Sequence, residues 1–174
     1  MPDRGTTPRP RAALDVRVTV ATAPQMQHLG RRLASLLRAG DLVVLSGPLG
    51  AGKTTLAQGI GSGLGVRGQV TSPTFVIARV HPSLAGGPDL VHADAYRLGS
   101  RAEVDDLDLD TAVTVVEWGE GLVEDLADSF LAVTIEQSGA PDSAEEAATG
   151  SRTVRIQGRG ARWQGTDWPV LAAG

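Results

Sequence analysis

Between Asp15 and Ala21, apolar Val16, Val18 and Val20 alternate with Arg17 and Thr19, the period-two pattern of a strand with one face in water. The period then changes. Thr22-Ala23-Pro24-Gln25 has the form of a capping box, with Thr22 as N-cap and Gln25 three residues on. Met26, Leu29, Leu33, Leu36 and Leu37 then line one face of the predicted helix, and Ala39-Gly40 ends it. Asp41 to Ser46 is a short apolar run with the look of a buried strand, and Leu56, Ile60 and Leu64 recur every four residues along a second helix. Gly59, Gly61 and Gly63 lie inside that helix. Each costs about 1 kcal/mol relative to Ala, which predicts a loose second half in the absence of ligand.

Further along, strands are expected at Phe75 to Val80, Leu90 to Asp94, Ala112 to Glu117, Phe130 to Glu136 and Arg152 to Gln157. The segment His81 to Asp89, with Pro82, Gly86, Gly87 and Pro88, reads as a hairpin loop. Ser100 and Glu103 form a second capping box before a short acidic helix, and Gly119 to Leu126 reads as another short helix. The organisation expected is a flexible tail over residues 1–14, one domain over 15–160 with a disordered loop at 138–151, and a C-terminal tail over 161–174. No internal repeat is found.

The stretch Gly47-Pro48-Leu49-Gly50-Ala51-Gly52-Lys53-Thr54-Thr55 fits G-x-x-x-x-G-K-[ST], between the predicted strand and helix where a P-loop must sit. Glycines allow backbone N–H groups to turn inward around a phosphate, and the helix N-terminus adds partial positive charge. Gly50, Ala51, Gly52, Lys53, Thr54 and Thr55 are therefore the candidate nucleotide contacts. Lys53 would meet the β- and γ-phosphates as a point charge, and the Thr54 hydroxyl would ligate Mg²⁺. The fold class expected is α/β: a P-loop NTPase fold with a mostly parallel central sheet flanked by helices, plus antiparallel additions.

Composition sharpens this picture. Lys and Arg total 16, and Lys53 is the only lysine, so an ammonium occurs only where it would contact phosphate. Aromatic residues are 3%, so the core must be mostly Val, Leu, Ile and Ala. Cysteine is absent, which excludes disulfides, thiolate metal sites and cysteine nucleophiles. The net charge of −4 gives no broad attraction to nucleic acid. Residues 1–14 lack the apolar core of a secretory signal and no run reaches about 18 apolar residues, so a cytoplasmic protein without a membrane partner is expected.

A P-loop NTPase needs a carboxylate at the end of a strand beside the loop. Asp94 and Glu117 both end apolar strands, and the residues alone leave both open. Arg97 lies close enough to Asp94 in sequence to approach the phosphates or to pair with an acid. His92 alternates with Val91 and Ala93 and reads as a packed strand residue rather than a base. Ser72-Pro73-Thr74-Phe75 is an extended, hydroxyl-bearing loop; it suits a γ-phosphate sensor and an ordinary loop equally.

Taken in order, the P-loop, Ser72-Pro73-Thr74-Phe75, His92-x-Asp94-x-Tyr96-Arg97-Leu98 and Glu117-Trp118 closely resemble the bacterial TsaE (YjeE) ATPase family, over roughly Thr22 to Glu136. The resemblance implies a small ATPase needed for making threonylcarbamoyladenosine beside the anticodon of tRNA. It implies ATP and Mg²⁺ as cofactors, TsaB–TsaD-type transferase subunits as partners, and contact with tRNA only through that complex. By the same resemblance Lys53 and Thr54 match the phosphate and Mg²⁺ contacts, Glu117 the acid that coordinates Mg²⁺, and Asp94 an aspartate needed for activity. Lys53, Asp94 and Glu117 are thus the expected catalytic residues, with Thr54 and Glu117 on the metal. Thr55 and Trp118 match further positions tied to function, and Arg152 and Thr22 are candidate nucleotide contacts. Pro48 stands where the family often has Asp.

The function expected is slow ATP hydrolysis that supports repeated turnover by the transferase. A small-molecule P-loop kinase is the chief rival, and a nucleotide-gated binding module with incidental hydrolysis is another. Such kinases usually close an arginine-bearing lid over the donor phosphates, whereas the candidate lid, Ser138 to Ser151, has no basic residue.

Overall fold

A computed structural model describes residues 12–71, 78–95, 109–118, 127–137, 150–166 and 168–172. Ser72-Pro73-Thr74-Phe75, Arg97, the two short helices expected after Ser100 and Gly119, and residues 138–149 of the expected loop lie outside them. Seven strands form one sheet: β1 (Ala12–Val20), β2 (Leu42–Ser46), β3 (Ala78–His81), β4 (Asp89–Asp94), β5 (Ala112–Glu117), β6 (Phe130–Gln137) and β7 (Arg152–Arg159). Their order is β1-β7-β6-β2-β5-β4-β3. The four central strands β6, β2, β5 and β4 are mutually parallel, while β3, β7 and β1 add antiparallel at the edges. This is the mixed α/β sheet expected of the P-loop class. Strand β2 sits in its middle, so the loop that follows leaves the carboxyl end of the parallel strands.

Alternation along the strands divides the core between two faces. Val43, Leu45, Val113, Val115, Leu131, Val133 and Ile135 join Leu29, Leu33, Leu56 and Ile60 of the helices in one large cluster. Leu42, Val44, Ala93 and Val116 point to the other face and form a smaller one. Helix α1 (Ala23–Ala34) begins as its capping box predicts, with the Gln25 amide donating to the Thr22 hydroxyl at 3.3 Å. The reciprocal bond goes one residue further out, from the Ala21 amide to the Gln25 side chain at 2.8 Å.

Helix α2 (Lys53–Leu64) lies against α1, and its glycines carry the contact. A Cβ on Gly59 would stand 2.2 Å from the Gln27 carbonyl oxygen, and one on Gly30 would stand 2.5 Å from that of Leu56. At Gly63 it would meet Ala34 Cβ at 2.5 Å, and at Gly61 the Val70 side chain at 2.6 Å. The poor helix formers are therefore the residues that let the two backbones touch. What helix propensity reads as looseness is compensated by close packing.

The structure departs from expectation at both ends. Strand β1 starts at Ala12 rather than Asp15, because Ala12 and Leu14 pair with Arg159 and Gly158 across a register shift. At the other end a 3₁₀ turn (Ala161–Trp163) and a one-turn helix α3 (Pro169–Ala172) replace the expected tail. Trp163, Trp168 and Leu171 are buried in the helix-side core, with the indole centroids 6.1 Å apart. Two tryptophans without a period carry no local signal; their packing over Gly158 of β7 explains them.

Arg162 fastens this segment. Its guanidinium donates to both carboxylate oxygens of buried Asp41 at 2.9 Å and to the Leu36 carbonyl at 2.8 Å, and it lies over the Trp163 ring. Removing the guanidinium leaves a buried carboxylate with, among the described residues, only the Arg38 amide, 2.8 Å away, as donor. Arg162→Ala is expected to lower unfolding free energy by about 2–4 kcal/mol, read by urea denaturation, since breaking a buried pair strands its partner.

Candidate nucleotide and metal site

The loop between β2 and α2 is built for an anion. Gly50 and Gly52 take φ of 76° and 109°, where a side chain would strain the backbone. Helix α1 has a side-chain cap, but α2 has none: its N-cap is Gly52 and no side chain bonds its first amides. Free N–H groups and the helix dipole thus converge where a phosphate would lie. The Arg152 guanidinium, at the start of β7, donates to the Ala51 carbonyl at 2.9 Å and the Gly50 carbonyl at 3.3 Å. Those contacts satisfy two carbonyls of the loop with a side chain from β7.

Lys53 is only 6% exposed. Its ammonium donates to the carbonyls of Gly47 at 2.8 Å and Pro48 at 3.0 Å, and stands 3.8 Å from the centre of the Trp118 ring. Burial lowers its pKa from the ordinary lysine value, partly offset by the negative charges of Glu117 and Asp94. Trp118 holds φ of 63°, a conformation rare for a bulky residue, and its amide bonds the Leu45 carbonyl at 2.9 Å. That turn directs the indole back over the loop.

Parallel pairing of β4 and β5 sets Asp94 beside Glu117, and Glu117 lies in register with Leu45 of β2. Both candidate acids therefore end their strands at the loop. The Thr54 hydroxyl donates to Glu117 Oε1 at 3.1 Å. Burial raises the Glu117 pKa, but the close approach of His92, the Thr54 hydroxyl and the charge of Lys53 outweigh it and hold the carboxyl below the usual range. One hydroxyl and one carboxylate are hard oxygen donors that suit Mg²⁺, which keeps several waters and uses substrate phosphates for the rest of its shell. Among the described residues there is no cluster of three or more metal-ligating His, Cys, Asp or Glu side chains.

Lys53, Thr54, Asp94 and Glu117 are thus brought together, with Gly50, Ala51 and Gly52 as the cradle and Thr55 in the first turn of α2. Thr22 caps α1. His92, which the alternation of β4 placed in packing, is fully buried but stands 3.5 Å from Glu117 Oε1. The signal available was its two-residue spacing from Asp94, which puts both side chains on one face of the strand.

The sequence matches the family described as threonylcarbamoyl adenosine biosynthesis protein TsaE over residues 20–146. It is 60% identical over 152 residues to the tRNA threonylcarbamoyladenosine biosynthesis protein TsaE of Streptomyces coelicolor, covering 84% of this chain and 99% of the relative. The protein of the same description in Mycobacterium tuberculosis is 51% identical over 144 residues, 75% of this chain and 85% of that one. Among solved structures, Bacillus subtilis YdiB superposes with a TM-score of 0.68 at 24% identity, covering 87% of this chain and 90% of its own, and so shares the fold.

Proposed function

Because this chain belongs to the TsaE family, whose members serve tRNA threonylcarbamoyladenosine biosynthesis, we propose that it is the ATPase of that modification, binding and hydrolysing ATP with Mg²⁺. The observation that carries the reading is the contact of Thr54 with Glu117 beside a buried Lys53, on an uncapped helix N-terminus. Lys53 and the loop amides would bind the β- and γ-phosphates and offset the charge that develops there. Thr54 and Glu117 would hold Mg²⁺, which when bound neutralises phosphate oxygens. Asp94, next to Glu117 in the sheet, would orient a water. Residues 12–172 act as one ATPase domain, which meets tRNA through TsaB–TsaD-type transferase subunits in the cytoplasm. Among the described residues no helix is long and apolar enough to cross a membrane.

The test is a reconstitution with the matching transferase pair, threonylcarbamoyl-adenylate and tRNA, counting modified tRNA per transferase. Sustained turnover only with this protein and ATP is the expected result; hydrolysis without any effect on yield would reject the tRNA role. Phosphorylation of an added small acceptor would instead favour a kinase. Glu117→Gln is expected to lower Mg²⁺-dependent hydrolysis on the order of 10²-fold. Metal-free ATP affinity should stay within about threefold, since the carboxylate meets the metal and not the phosphates.

A further inference from the structure

His92 is 0% exposed, and among the described residues neither of its ring nitrogens completes a hydrogen bond of normal geometry. A buried polar ring left this way is costly unless it answers to something nearby. What lies nearby is Glu117: His92 Nε2 points at Oε1 from 3.5 Å, the same oxygen that accepts from the Thr54 hydroxyl at 3.1 Å. The placement comes from the sheet. In the parallel register of β4 and β5, His92 pairs with Val115 and Asp94 with Glu117. Leu90, His92 and Asp94 share the face of β4 that looks toward α2, as Val113, Val115 and Glu117 share that face of β5. His92 therefore sits one step deeper than the two acids, behind the carboxylate as seen from the loop.

From this geometry we infer that His92 is a positioning residue: its Nε2–H engages Glu117 Oε1 from the protein side and leaves Oε2 to the metal and its waters. Among the described residues no hydrogen bond reaches Oε2, so the two oxygens are already differentiated. Thr54 can leave Oε1 when its own oxygen is drawn to a cation. His92, locked in the sheet, then remains to keep the carboxylate from rotating. A donor behind a metal-binding carboxylate typically changes metal affinity by 10–100-fold when lost. The inference rests on Glu117 being the Mg²⁺ carboxylate, as proposed above.

Three full-length variants test it beside the wild type. His92→Leu removes the donor at similar volume, His92→Gln retains an N–H at comparable reach, and Glu117→Gln serves as reference. Thermal melting reports on folding, a fluorescent ADP analogue on nucleotide affinity with and without Mg²⁺, and steady-state hydrolysis on kcat and KM. His92→Leu should raise the Mg²⁺ concentration for half-saturation about tenfold and lower kcat, with metal-free nucleotide affinity and the KM for ATP unchanged. His92→Gln should recover most of the loss. A folded His92→Leu with wild-type Mg²⁺ dependence overturns the inference, as does a His92→Gln no better than His92→Leu.

A readout that needs neither folding of the variants nor activity is the histidine tautomer in the wild-type protein, from long-range ¹H–¹⁵N correlation. A ring protonated on Nε2 is expected. Protonation on Nδ1 alone excludes Nε2 as a donor and overturns the inference. If the wild type does not hydrolyse ATP, the proposed function fails, whereas the tautomer still reports on the contact itself.

Discussion

Lys53→Ala is expected to reduce ATP binding and hydrolysis by roughly 10²–10³-fold, the loss typical of one charge-assisted contact to a transferring phosphoryl group. The ammonium is 6% exposed and enclosed by the Gly47 and Pro48 carbonyls and the Trp118 ring. It bonds those carbonyls, which makes it a tie across the start of the P-loop as well as the proposed phosphate contact. Lys53→Arg should fail nearly as badly. A planar guanidinium cannot reproduce a point charge that donates to two carbonyls while stacked 3.8 Å from an indole. Titration with a fluorescent ATP analogue, followed by steady-state hydrolysis, checks both variants. Wild-type turnover in Lys53→Ala would remove the P-loop from the chemistry.

The second large effect concerns Gly59, where propensity and packing predict opposite signs. On propensity alone Gly59→Ala would stabilise α2 by about 1 kcal/mol. In the fold its Cβ would stand 2.2 Å from the Gln27 carbonyl oxygen and 2.8 Å from Gln27 Cα, and both are backbone atoms of α1. No side-chain rotation relieves such an overlap, so the helices must part. Gly30, packed against the Leu56 carbonyl and Gly59 itself, loses its contact at the same time. A net destabilisation of about 1–3 kcal/mol is expected, the usual cost of overpacking. In a chain of this size that lowers the midpoint of thermal unfolding by roughly 3–10 °C. Helix α2 begins at Lys53, so nucleotide affinity should fall with it. A melting temperature equal to or above wild type would refute the close-packing account.

These two residues mark the boundary between what was legible in the chain and what was not. The P-loop is a local object. Loop, strand and helix are contiguous, so nine consecutive residues and their flanks suffice to identify Lys53 and Thr54. Strand β5 was equally legible, because an unbroken apolar run ending in Glu117 has no other reading at that length. The capping box at Thr22 likewise rests on residues three apart.

The sequence by itself determined the seven strands of the sheet and the helices α1 and α2, which faces they bury, and where the proposed phosphate site lies. Each of these depends on the identity of residues within one turn or one pleat. Tertiary structure alone decided the partners. The parallel register of β4, β5 and β2 sets Asp94 beside Glu117 and both beside the loop. Contact between two helix backbones turns Gly59 from a defect into a requirement, and packing over Gly158 of β7 accounts for Trp163 and Trp168. His92 meets Glu117 only because two strands that lie 18 residues apart in the chain (Asp94 to Ala112) are neighbours in the sheet. Periodicity encodes the direction in which a side chain points. What it meets there depends on contacts between residues distant in sequence, which no local pattern records.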